Sequence, residues 1–71
     1  MIDKKELKKA LFVHDITVPM IAEAANVSES TVYRWIKNPE KMNIGNVELL
    51  KELAQLNREE FTRIFYPETV A

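Results

Sequence analysis

Seventy-one residues make one domain, close to the lower size limit at which a hydrophobic core holds a fold without staples. Without cysteine the chain has neither a disulfide nor a thiolate metal site, so its 46% hydrophobic residues must supply the core alone. Ten Lys plus Arg against eleven Asp plus Glu leave a net charge of −1, which lacks the basic excess usual in a domain that grips DNA by itself.

The opening Met-Ile-Asp-Lys-Lys-Glu has no long apolar run, and no stretch approaches the length of a membrane span. The expectation is a cytoplasmic protein with no membrane partner.

A first helix starts at Asp3 as N-cap, with Glu6 at the capping-box spacing. Leu7, Ala10 and Leu11 form its buried stripe, while Lys4, Lys5, Lys8 and Lys9 lie on other faces as solvated surface. His14 and Asp15 begin a turn, and a lone His with no second His or Cys nearby makes neither a metal site nor a catalytic base. Thr17 caps a second helix with Pro19 in its first turn, where a missing N–H costs little. Ile21, Ala22 and Ala25 give its inner face.

Asn26 tolerates the left-handed backbone that a sharp turn requires, Val27 tucks inward, and Ser28 caps a third helix. Glu29 suits the positive end of that helix, and Val32, Trp35 and Ile36 face the core before Asn38 and Pro39 stop it. Asn43 caps a fourth helix with apolar positions Ile44, Val47, Leu50, Leu53 and Ala54. Asn57 caps a fifth, with Glu60 three residues on and an apolar face of Phe61, Ile64 and Phe65. Pro67 ends it. The reading is an all-α, compact five-helix domain over residues 1–66, with 67–71 as a fraying tail.

The segment 17–38 reads as a helix-turn-helix. That motif needs a small residue where its helices cross, a turn residue at ease with positive φ, and an apolar plug directly after; Ala22, Asn26 and Val27 stand at those places. Ile21 and Ala22 from the first helix, with Val32 and Trp35 from the second, would form its core. An ordinary helical hairpin needs only the apolar stripes and not this coincidence of Ala, Asn, Val and a Ser cap.

On Ile21-Ala22, Asn26-Val27-Ser28, Ser30-Thr31-Val32 and Arg34-Trp35, the chain resembles the helix-turn-helix domains of the Cro and lambda-repressor type. The resemblance runs from Leu7 through Leu56 into Phe61. It implies a five-helix fold whose third helix is a recognition helix, with Glu29, Ser30, Thr31, Tyr33, Arg34 and Lys37 turned outward. In a major groove Arg34 would reach guanine, and Ser30 or Thr31 would reach phosphates or bases.

Three positions depart from that pattern. Val18 and Pro19 stand where the family commonly places a phosphate-binding polar residue. Glu29, an acid that repels the DNA backbone, takes the first outward position of the third helix. Ile36 replaces a glutamate often found after the tryptophan. A reading face altered in this way suits another partner, and the whole sequence is similar to the small modulator-of-repression proteins, or antirepressors, of temperate phages of Gram-positive bacteria.

That resemblance implies binding to a phage repressor inside the bacterial host. Glu23, Glu29 and Glu40 would oppose the repressor's basic DNA-binding face, Tyr33 and Arg34 would act as anchors, and Lys41 would flank the contact. The alternative is a Cro-like dimer that binds operator DNA, alone or with the repressor. An enzyme finds no support: there is no Ser/His/Asp set, no Gly-rich phosphate loop and no cluster of metal ligands. The expectation is no catalytic residue, no cofactor, no metal and no small-molecule substrate.

Overall fold

Every one of the five α-helices starts at a side chain that accepts a hydrogen bond from the helix's own first turn. The structure, a computed structural model, describes residues 1–69. They form α1 (Lys4–Val13), α2 (Val18–Ala25), α3 (Glu29–Lys37), α4 (Ile44–Leu53) and α5 (Arg58–Phe65), with 3₁₀ turns at Pro39–Lys41 and Pro67–Thr69 and no strand among the described residues. Asp3, Thr17, Ser28, Asn43 and Asn57 are the caps, each satisfying amides that a helix start otherwise leaves without a partner.

At α5 the capping box is complete: Glu60 N–H donates to Asn57 Oδ1 at 2.8 Å and Asn57 N–H to Glu60 Oε1 at 3.1 Å. At α1 the box expected from Glu6 does not close. Asp3 N–H donates instead to the Ile64 carbonyl at 2.7 Å, so the amide that Glu6 would have taken already ties the start of α1 to α5.

Three helices end by one device. Asp15, Asn26 and Gln55 adopt left-handed backbone, with φ of 56°, 56° and 53°. In each case the left-handed residue's N–H donates to the carbonyl three residues back at 3.2 Å. The next N–H donates to the carbonyl five back: Ile16 to Leu11 at 2.8 Å, Val27 to Ala22 at 3.0 Å, Leu56 to Lys51 at 3.0 Å. This is the Schellman arrangement, in which an apolar residue after the left-handed one folds back onto the helix; Ile16, Val27 and Leu56 all pack with the core. The following residue is each time the next N-cap, so Asp-Ile-Thr, Asn-Val-Ser and Gln-Leu-Asn are the same turn written three times.

The stripes meet in one core of Leu7, Ala10, Leu11, Ile21, Ala22, Val32, Trp35, Leu50, Ala54, Leu56, Ile64 and Phe65. Helix α1 packs on α5 and α3, and α2 packs on α3 and α4, within a body of 36 × 21 × 19 Å. Ala25, Val27, Ile36, Val47, Leu53 and Phe61 line its edge half-buried. Ile36 is therefore part of the packing and not of the outer face. Ile44 departs from expectation at 83% exposed: as the first residue of α4 it precedes the turn where the apolar stripe swings inward.

Pro67–Thr69 winds into a 3₁₀ turn, with Thr69 N–H and hydroxyl donating to the Tyr66 carbonyl at 3.0 and 2.8 Å. Glu68 pairs with the Met1 amino group. Residues 70 and 71 of the predicted tail lie outside the described residues. Among those described, no helix is long and apolar enough to cross a membrane.

Candidate functional site

The segment 17–38 consists of the Thr17 cap, α2, the left-handed turn at Asn26, the Ser28 cap and α3. Its inner side is fixed by burial. Ile21 and Ala22 of α2 and Val32 and Trp35 of α3 are buried, Val32 completely and Trp35 to 9% exposure, while Val27 is half-buried in the turn. Burying three or four such side chains, at about 25 cal/mol per Å² of apolar surface, is what holds a nine-residue helix that would not persist alone.

The same anchoring turns the other face of α3 to solvent. Glu29, Ser30, Tyr33, Arg34 and Lys37 are exposed, Tyr33 at 60%. Thr31 differs from the others: it is half-buried, and its hydroxyl lies 3.0 Å from Ser28 Oγ, which also accepts from Thr31 N–H at 3.2 Å. Thr31 thus serves the cap of α3. Glu23 on α2 is exposed, as are Glu40 and Lys41 of the 3₁₀ turn that packs against α3.

The charges on this face are open. Among the described residues the ion pairs are Met1 with Glu68 and His14 with Glu60; Glu23, Glu29, Arg34, Lys37, Glu40 and Lys41 have none. Along α3 the acid stands at the start and the bases at the end, the order that complements the helix dipole. Lys4 adds a cation at that end, donating from Nζ to the Lys37 carbonyl at 3.2 Å. The spacing of the α1 lysines carries no sign of this approach, because it depends on how α1 crosses α3.

The first turn of α2 carries Pro19, which has no N–H to offer an anion. An open groove of about 640 Å³ lies between the start of α1 and the end of α3, lined by Lys4, Lys5 and Lys37 but also by Asp3, Glu40 and Glu68. No group of three or more His, Cys, Asp or Glu that would hold a metal ion occurs among the described residues.

No family model, curated protein or solved structure matches this chain.

One polar contact is not evident from the sequence. His14 Nε2 lies 2.8 Å from Glu60 Oε2, joining the end of α1 to the first turn of α5. That hydrogen bond, and after it the Asn57 N–H on the other oxygen, holds the Glu60 carboxyl below the usual glutamate value. Both residues stand at helix ends, and that is the only hint the sequence offered. The pair braces the packing of α1 on α5 and does not belong to the α3 face.

Proposed function

We propose that α2 and α3 form a helix-turn-helix, and that the chain is a transcriptional regulator of a phage lysis–lysogeny switch. In this reading it is a modulator of repression: its α3 face binds the phage repressor and alters the repressor's hold on DNA. The observation that carries the choice of partner is Glu29. It is exposed, without a cation beside it, at the N-terminal end of α3, where a groove-reading helix would meet phosphates. An acid there repels a nucleic acid and attracts the basic surface with which a repressor holds its operator.

Pro19 in the first turn of α2 points the same way, since it removes an amide from an anion-facing helix start. The net charge of −1 leaves no general attraction for DNA to offset either feature. Tyr33 and Arg34, both exposed on the same face, are residue types that anchor protein interfaces.

Band shifts on operator DNA test this reading with three samples: the chain alone, the repressor alone, and both. A modulator of repression leaves the DNA unshifted by itself and changes the repressor's shift when added. A shift by the chain alone at moderate salt, unchanged by the repressor, overturns it. The second reading, a Cro-like operator binder, is favoured by the unpaired Arg34 and Lys37 with Lys4 alongside, and that outcome would establish it.

A further inference from the structure

We infer that the outer face of α3 is self-complementary, and that two copies of this chain pair through it, antiparallel, about a two-fold axis at Tyr33. The spacing carries the inference. Glu29, Tyr33 and Lys37 stand at i, i+4 and i+8, on one stripe of the helix, and all three are exposed. Tyr33 lies midway, so the acid and the base are each about 6 Å from it along the axis, at 1.5 Å per residue.

A two-fold interface uses one patch twice, so that residue i meets j and j meets i. Rotation about an axis through Tyr33 carries Glu29 of one copy onto the level of Lys37 of the other, and the reverse. Two Glu29–Lys37 pairs then flank two tyrosine rings that meet at the axis.

The helix dipole alone explains an acid at the start of α3 and a base at its end. It does not explain a tyrosine left 60% exposed at the midpoint between them. Nor does it explain why neither charge has an ion-pair partner among the described residues. Lys4, held against the Lys37 carbonyl at 3.2 Å, places a second cation at the end that an incoming Glu29 meets, in a groove that Asp3 and Glu40 also line. Ser30, small and one turn before Tyr33 on the same side, leaves room for the second backbone.

The face of one nine-residue helix falls well short of the roughly 1,600 Å² buried in a standard stable complex. The pairing is accordingly weak, concentration-dependent and sensitive to salt. It hides the face on which the proposed repressor contact depends, so self-association would hold the chain in reserve at high concentration. The pairing does not rest on that functional reading, and it is measured with the chain alone.

Charge reversal gives a test with internal controls. Glu29→Lys has lysine at both ends of the stripe, and Lys37→Glu has glutamate at both ends. Sedimentation equilibrium of each variant should show self-association weakened on the order of tenfold relative to wild type, as attraction at two surface pairs turns to repulsion. An equimolar mixture of the two should associate about as well as wild type, because each acidic stripe then faces a basic one.

Circular dichroism of each variant confirms that it remains helical. Tyr33→Ser, which leaves both charges in place, should also lose association and gives the test a second arm. A wild-type chain that stays monomeric at all concentrations overturns the inference. So does a mixture that associates no better than its components, or single reversals that associate as wild type does.

Discussion

His14 Nε2 and Glu60 Oε2 lie 2.8 Å apart and bridge the last turn of α1 to the first turn of α5. Glu60 uses both carboxylate oxygens, one for this contact and one for the Asn57 N–H. A charged acceptor strengthens both bonds.

The bridge makes stability depend on pH in a defined direction. Glu60 titrates below its ordinary 4.5 in the folded chain, so its stabilisation is complete above that value and disappears as pH falls through the depressed one. Glu60→Gln keeps the shape and loses the charge. Its Tm should lie a few degrees below wild type at neutral pH, and the two melting curves should converge in acid. A gap that persists at low pH would show that the carboxylate's charge is not what braces the helices.

Trp35→Ala should cost about 3–5 kcal/mol, the range for removing a large buried aromatic. Trp35 is 9% exposed and sits in the core that α1, α2 and α3 share. Against a total stability of about 5–15 kcal/mol that loss leaves little or no folded chain. Thermal melting followed by circular dichroism measures it, and a shift of only a degree or two would contradict the packing described for α3.

The three left-handed turns rank their own substitutions. Asn26→Val should destabilise by roughly 1–2 kcal/mol, since a β-branched side chain is poorly placed at φ 56°. Asn26→Gly should be neutral or slightly stabilising. Gln55→Gly should gain more than Asn26→Gly, because asparagine tolerates the left-handed region better than glutamine does. Denaturant titration of the three variants gives the order directly; equal gains at Asn26 and Gln55 would run against it.

If the proposed function holds, Glu29→Lys should move two affinities in opposite directions. Binding to the repressor should weaken, because an acid facing a basic surface is lost. Binding to DNA should strengthen, because a cation now stands where phosphates would lie. Arg34→Ala should weaken both, as a guanidinium serves a carboxylate or a guanine edge alike. Calorimetric titration against the repressor decides: undiminished affinity in Glu29→Lys would move the contact away from α3.

The sequence made the helices legible because their starts are chemical. Asp, Thr, Ser, Asn and Asn at the five caps are the residue types whose side chains reach back to free amides, and all five stand where the sequence pattern places them. Of the three Schellman turns, only the one at Asn26 was expected as left-handed. Residue type alone does not mark Asp15 and Gln55 as left-handed, although Asp-Ile-Thr and Gln-Leu-Asn repeat the pattern of Asn-Val-Ser. Glutamine in particular gives no local cue, and its conformation follows from the aliphatic residue and cap behind it.

Contacts between helices distant in sequence stayed hidden. Nothing in a linear reading places His14 beside Glu60, Lys4 beside the Lys37 carbonyl, or the Asp3 amide on Ile64. Each depends on crossing geometry that the apolar stripes constrain only loosely. On the candidate face the outward residues of α3 were legible from the buried Val32 and Trp35 opposite them. Thr31 was not, because a hydroxyl that closes its own helix cap looks in sequence like one free to bind.

The bond from the Asp3 amide to the Ile64 carbonyl bears on the order in which the chain folds. During synthesis α1 leaves the ribosome first, yet its starting amide has no native partner until α5 has been made. Until then Leu7 and Leu11 have α3 to pack on but lack the far wall of their core. Joining residues so far apart in the sequence carries a large loop-closure cost, and contacts of this kind slow folding. The docking of α5 on α1 therefore has to wait for the last helix, and a nascent chain that stops short of α5 leaves the apolar surface of Leu7 and Leu11 incompletely covered.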